Sequence, residues 1–301
     1  LNLLITGGTG FIGRALSKHF SSLEHHVYIL TRRAVISHQS QYIHYVQWLT
    51  DRRSPLHQLP PIDVVINLAG APIYDERWTE SKKKEILKSR LHATKALIHL
   101  LENMPKKPFL LISASSVGYY GASRTQMFTE ESSFDGSEFL ADVSYRWEKE
   151  AMRAEQLGIR TVLARFGLVL DANDGVLPKL LLPYRYFIGG TIGSGKQWVS
   201  WIHIDDLVRL IDFIIKHPYL EGPINVTAPS PVKMKEFGQT IGKVMKRPHW
   251  LIFPAFILKL IFGEISELFI KGQKVMPKKA LTASFVYQYP SLEEALKSLL
   301  N

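Results

Sequence analysis

An α/β fold is predicted for this chain: a doubly wound parallel sheet with helices on both faces, followed by a smaller C-terminal α+β lobe. Three observations predict it. Short apolar runs alternate with helically spaced segments over residues 1–170, the pattern of parallel strands buried on both faces. A glycine-rich turn joins the first apolar run to the first helical segment. Beyond Asp171 the pattern breaks into shorter pieces, and Pro178, Pro183, Gly189, Gly190, Gly193 and Gly195 crowd one stretch.

Leu1 to Thr6 is a continuous apolar strand, and Phe11 to Leu23 has helical spacing. His26 to Thr31, Tyr42 to Trp48 and Val64 to Leu68 supply the second, third and fourth strands. Thr79 to Asn103 reads as a long helix ended ahead of Pro105. Phe109 to Ser113 is a fifth strand, Phe139 to Leu157 a helix, and Arg160 to Arg165 a sixth strand. Residues 1–170 form the first unit, to which 196–227 are expected to return, while 171–195 and 228–301 make the C-terminal lobe. His203 to Asp206 is expected to end a strand and to cap the next helix through an acidic side chain. Phe253, Ile257, Leu260 and Ile261 recur at helical spacing, so one buried face is expected there. It has three candidate roles: core of the lobe, a lid, or a homodimer contact.

Composition narrows the chemistry. The 301 residues are 46% hydrophobic and 21% charged, ordinary for a globular protein. There is no cysteine, which excludes disulfides, thiolate metal sites and thiol nucleophiles and fits a reducing, cytoplasmic location. No signal peptide is expected, since no charged segment precedes an apolar one at the start. No uncharged apolar run reaches the roughly 18–20 residues that span a bilayer, the most apolar stretch, Trp250 to Gly263, being too short and carrying Lys259, and no membrane partner is expected. The net charge is +10, but the basic residues are scattered, and Lys82-Lys83-Lys84 reads as an exposed helix face. Attraction for phosphates accounts for that charge without a nucleic-acid partner. The eleven histidines show no spacing suited to zinc, so no metal is expected.

Gly7, Gly10 and Gly13 follow the first strand and open the first helix. Glycine allows the tight turn and the close backbone approach that a pyrophosphate needs, with its charge at the helix N-terminus. At the end of the second strand an acid would accept ribose hydroxyls. Thr31-Arg32-Arg33 stands there instead, and a guanidinium matches a ribose 2′-phosphate in charge and fork geometry. The cofactor expected is therefore NADP(H).

Further segments carry a family likeness. The run from Gly7 to Gly13, Asn67-Leu68-Ala69-Gly70, the run Ser113 to Gly121 and Trp201 to Leu207 resemble the extended short-chain dehydrogenase/reductase superfamily. An atypical branch is closer still: NAD(P)-dependent, sugar-nucleotide-epimerase-like proteins of unknown substrate. Its marks are Glu85 with Ser89-Arg90, Trp147-Glu148, Gly189-Gly190 with Ile192 to Gly195, Ala228-Pro229 with Pro231-Val232, and Gly272 to Val275 with Pro277. The resemblance spans essentially the whole chain. It implies a Rossmann domain, a C-terminal substrate lobe and a bound nicotinamide dinucleotide. It implies that Gly7, Thr9, Gly10, Phe11, Ile12 and Gly13 surround the pyrophosphate and that Thr31 and Arg32 face the adenosine ribose. Leu68, Ala69 and Gly70 would line the cofactor, Glu85 and Arg90 would reach it, and Val169 would lie near the nicotinamide.

Typical members of the superfamily use a serine or threonine, a tyrosine, and a lysine four residues after the tyrosine. The lysine lowers the phenol pKa so that it can exchange a proton with the substrate oxygen. Ser116, five residues before Gly121, is the first choice of serine and Ser115 the second. Tyr145 and Lys149 have the literal spacing, which puts both on one helix face. Registering Trp147-Glu148 on the atypical branch instead puts Val143 and Trp147 at the tyrosine and lysine places. Tyr119 and Tyr120 are further candidates for substrate contact or for packing, and Gln197, Ser200 and Trp201 follow a glycine-rich loop able to cover a ligand. Two functions follow as expectations. One is an NADP(H)-dependent oxidoreductase or epimerase acting on a small polar, nucleotide-linked or free, substrate. The other is a non-catalytic NADP(H)-binding protein that senses redox state or binds a partner.

Overall fold

The computed structural model describes residues 1–33, 40–50, 54–74, 76–134, 136 and 138–300, apart from the side chains of residues 261 and 262. Its first half runs β1 (Asn2–Thr6), α1 (Phe11–Ser22), β2 (His26–Thr31), β3 (Ile43–Gln47), β4 (Val64–Asn67), α2 (Glu80–Glu102), β5 (Leu110–Ser116), β6 (Met127–Phe128), α3 (Phe139–Ala151) and β7 (Arg160–Phe166). Its second half runs β8 (Leu168–Leu170), α4 (Leu177–Arg185), β9 (Gly189–Ile192), β10 (Trp198–Val199), β11 (Trp201–His203), α5 (Ile204–Lys216), β12 (Gly222–Val226), β13 (Val232–Lys233), α6 (Met234–Met245), β14 (His249–Phe253), α7 (Ala255–Phe262), α8 (Glu267–Ile270), β15 (Lys274–Val275), α9 (Lys278–Thr282) and α10 (Leu292–Leu300).

Seven strands form one parallel sheet in the order β3-β2-β1-β4-β5-β7-β12, the doubly wound α/β Rossmann arrangement expected. Side chains alternate across a strand, so β1 feeds two cores. Leu3 and Ile5 pack with Leu16 and Phe20 of α1 and with Leu207 and Ile211 of α5. Leu4 faces the other way, onto Ala93 and Leu97 of α2. The Thr79 hydroxyl starts α2 by accepting from the Lys82 N–H at 3.1 Å. β5 extends three residues beyond the expected Ser113, because pairing with β7 continues to Ser116 opposite Phe166. The helix expected over Phe139 to Leu157 leaves α geometry after Ala151, and a 3₁₀ turn carries it to Gly158, whose φ of 75° suits glycine.

The second half is interleaved with the first. β12 is an edge strand of the main sheet and α5 packs on the side of α1. Leu177, Leu181, Phe237, Ile241, Leu292 and Leu296 build a separate core from α4, α6 and α10. Two local expectations are corrected. The cap of α5 is the His203 imidazole, whose Nδ1 accepts from the Asp205 N–H at 3.0 Å, and not an acid. Asp206 is instead buried and accepts from the backbone N–H groups of Gln288 and Tyr289. On α7, Leu260 is 77% exposed and Ile257 is exposed too, so the spacing does not mark a buried face; the Ile261 side chain lies outside the described residues. No described helix is long and apolar enough to cross a membrane.

Candidate functional site

The strand order reverses between β1 and β4, and a crevice must open above the carboxyl ends of the strands there. A cleft of about 460 Å³ occupies that place. The glycine turn forms one end. Gly7 has φ +69°, and a Cβ on it would stand 2.7 Å from the Leu68 carbonyl oxygen. A Cβ on Gly13 would stand 2.5 Å from the Gly7 oxygen, so α1 could not lie this close to the turn with any other residue. Gly10 differs: a Cβ there meets only the Gly7 oxygen, at 3.2 Å, and otherwise projects into open space. Helix α1 begins at Gly10 with no side-chain cap and no acid in its first turn. Its first N–H groups and the positive end of its dipole are left for an anion. An open glycine beside an uncapped helix start fits a dinucleotide pyrophosphate.

Gly7, Gly10, Phe11, Ile12, Gly13, Leu68, Gly70, Arg90, Ser116 and Val169 all border this cleft. Thr9 is exposed on the turn, and its carbonyl accepts from Arg14, which also pairs with Asp174 at 2.8 Å. Thr31 is buried at the end of β2, and its hydroxyl accepts from the Arg33 N–H; Arg32 is exposed beside it. Ala69 packs toward α2, behind the lining. Glu85 turns outward and pairs with Lys82 at 3.2 Å. Arg90 turns inward, donates to the carbonyls of Ala71 and Ile86, and lies 5.1 Å from the Trp147 ring. Burial lowers its pKa to about 10, which leaves it charged at neutral pH.

Tyr145 and Lys149 are not brought to the cleft. Val143 and Trp147 are buried and line it, and a residue two places on sits about 200° round the helix. Tyr145 accordingly stacks on Phe134 with ring centres 4.6 Å apart, and the Lys149 ammonium lies 5.9 Å from the Tyr145 ring. The two serines also part. The Ser115 hydroxyl donates to Glu148 at 2.6 Å and is spent. The Ser116 oxygen accepts from the Gly118 N–H at 3.0 Å, which leaves its proton to give.

Behind Ser115 lies a buried network that the residue pattern did not reveal. Arg165 holds Glu148 with two hydrogen bonds of 2.8 Å and donates to the Tyr120 hydroxyl, which donates to Asn225. Burial alone would lower the Arg165 pKa, yet the Glu148 carboxylate carries it above the ordinary arginine value. Burial raises Tyr120 to about 12. Tyr119 packs 3.5 Å from the same guanidinium. Tyr120 is thus a member of this network, and neither tyrosine borders the cleft. A charge near the end of β7, after the apolar Val162, Leu163 and Ala164, was the available signal. Gln197, Ser200 and Trp201 are tied to backbone carbonyls of Phe269, Gln273 and Ser230, so they fasten the lobe.

Residues 3–226 match the NAD dependent epimerase/dehydratase family. The chain belongs to that family. Residues 253–299 match a further domain of unknown function. An epimerase family protein of Bacillus subtilis, YfhF, is 47% identical over 300 residues, covering 100% of this chain and 98% of its own length. One from Staphylococcus epidermidis is 41% identical over 297 residues, covering 99% and 98%. Among solved structures, human epimerase family protein SDR39U1 with NADPH matches with a TM-score of 0.90 and 32% identity over 99% of both chains. A nucleoside-diphosphate sugar epimerase from Corynebacterium glutamicum gives 0.80 and 29% over 100% of this chain and 58% of that one. Family membership makes this an epimerase-like protein of the extended short-chain dehydrogenase/reductase type.

Proposed function

We propose that the protein binds NADP(H) and acts as an oxidoreductase on a carbonyl or alcohol substrate held in the same cleft. The observation that carries this reading is the open Gly10 at the uncapped start of α1, with Arg32 exposed at the end of the adjacent strand β2. The NADPH held by the human relative supports it. Gly10 leaves room for the pyrophosphate, Gly7 and Gly13 allow the tight turn and the close approach of α1 that present it, Thr31 and Arg32 take the 2′-phosphate, and Arg90 borders the path from Gly70. When bound, the dinucleotide supplies a hydride donor or acceptor. Ser116, with its free proton, donates to the substrate oxygen and orients it; Ser115 holds Glu148.

A second reading, a non-catalytic NADP(H)-binding protein, is favoured by one observation. Val143 and Trp147, on which the resemblance registers the superfamily's tyrosine and lysine, line the cleft, and neither can relay a proton. Oxidation of NADPH against a panel of carbonyl compounds separates the two: turnover that falls with Ser116→Ala supports the enzyme, and tight NADPH binding with no turnover supports the binder.

Cofactor titration tests both. Gly10→Val should abolish NADPH binding, because its side chain would fill the pyrophosphate path; retained affinity in a folded variant overturns the site. A charge-assisted hydrogen bond is worth roughly 1.5–3 kcal/mol, and at about 1.4 kcal/mol per decade one contact to the 2′-phosphate gives on the order of 10- to 100-fold preference for NADPH over NADH. Arg32→Ala should remove most of that preference while hardly changing NADH affinity. Both cofactors are titrated by tryptophan fluorescence, and equal affinities in the unaltered protein would refute the role of Arg32.

A further inference from the structure

Away from the glycine turn, the cleft changes character. Trp78, ahead of α2, Phe139, Leu140 and Val143 on α3, and Leu268 on α8 come together as one apolar wall. Trp78 meets the Phe139 ring edge-on at 5.5 Å. The polar atoms of the neighbouring indoles are already used: Trp78 Nε1 donates to the Ile73 carbonyl at 2.8 Å and Trp147 Nε1 to Thr94 at 3.0 Å. Both rings therefore offer carbon to a ligand.

Charge at this end is equally distinctive. Among the described residues that line the cleft, the cations are Arg90 and Lys271. Arg90 lies between Gly70 and the Trp147 ring, and it donates to the carbonyls of Ala71 and Ile86. Lys271 is held between two carboxylates, at 3.1 Å from Glu138 and 3.0 Å from Glu267. The ammonium of this lysine is therefore engaged by carboxylates and not open to a ligand. A nucleoside diphosphate needs cations or N–H groups aimed at its phosphates. Burying it against an apolar wall whose lysine is already paired would leave phosphate charge unmet.

We propose that the substrate end of this cleft takes a neutral apolar or aromatic carbonyl compound, with the Ser116 hydroxyl as donor to its oxygen, in place of the small polar, nucleotide-linked or free, substrate expected from the sequence. This rests on the preceding reading for the position of the dinucleotide, and the test separates the two.

The full chain is saturated with NADP+, which has no hydride to give an aldehyde, and titrated in a calorimeter with cinnamaldehyde and, separately, with UDP-glucose. NADP+ binding is measured first and on its own. Cinnamaldehyde is expected to bind, and UDP-glucose to give no binding heat at millimolar concentration. Leu268→Lys should weaken cinnamaldehyde by about tenfold or more by placing an ammonium in the wall, with NADP+ affinity unchanged. Leu140→Gln serves the same purpose should the first variant unfold. UDP-glucose binding more tightly than cinnamaldehyde overturns the proposal. So does the absence of binding by either, or cinnamaldehyde affinity indifferent to both wall variants. Failure of NADP+ itself to bind counts against the cofactor reading alone; the same two titrations on the cofactor-free chain then decide the wall.

Discussion

Ser115 and Ser116 are adjacent in the chain, and what separates their chemistry is a carboxylate 33 positions away from the first of them. Glu148 is buried, so its charge must be met, and Arg165 meets it with paired bonds from Nε and Nη2. A buried pair of this kind is costly to break from one side. Arg165→Met should destabilise the fold by about 3–5 kcal/mol, because Glu148 would be left unpaired. Combining it with Glu148→Gln should recover part of that loss. Urea unfolding of both variants checks this, and a double variant less stable than Arg165→Met would show that the pair is not acting as a unit.

At the scale of the element, α5 depends on a histidine cap with a sign that can be worked out. His203 accepts the Asp205 N–H through Nδ1, so it is neutral in the fold with its proton on Nε2. Burial lowers its pKa, against the opposing pull of Asp205, Asp206 and Asp171. A histidine whose folded pKa lies below its unfolded value of about 6.5 contributes stability that is present above that value. It is lost as pH falls through the folded pKa, because the unfolded chain then binds the proton more readily. The unfolding midpoint should therefore be flat above about pH 7 and fall below about 6.5. His203→Asn keeps a side-chain cap, and should cost within about 1–2 kcal/mol at pH 7.5 and flatten the acid slope. Burial also lowers His25, His44 and His249, so a shallower slope will remain. An unchanged slope in the variant would mean that His203 does not carry it. Elements fail differently on α7. Its spacing is apolar on several sides, so periodicity could not say which side would be covered.

For the whole molecule, the two lobes are stitched rather than merely apposed. Gln197 donates to Phe269, Ser200 donates to Gln273, and the Val275 N–H returns a bond to Ser200. These ties bring α8 to the cleft from a segment far along the chain. Outside them, Trp250, Ile252, Phe256 and Leu260 stand 66 to 77% exposed. Leu260→Glu should shift stability by no more than about 0.5 kcal/mol, as for a surface position. Thermal unfolding with light scattering checks this; a larger loss accompanied by a lower mass would show that a second copy covers the face.

The order of strands and helices in the first half, and the turn between the first strand and helix, were legible because they depend on local spacing. Alternation of apolar runs with a 3.6-residue period fixes what each segment is, and Gly7, Gly10 and Gly13 fix how closely the backbone can approach a ligand. The cleft itself was only half legible. Its glycine end lies within seven consecutive residues, whereas its apolar wall joins Trp78, Phe139 and Leu268 across some 190 positions. The spacing of Tyr145 and Lys149 satisfied a motif, but spacing says only that two side chains share a helix face. Which face turns inward is decided by what packs on it, here Trp147 against Arg90 and Thr94. The same holds for Ser116, freed because Glu148 engages its neighbour, and for His203, a cap because α5 starts where its ring lies against Tyr289. Local periodicity determines an element, and only long-range packing determines where that element points.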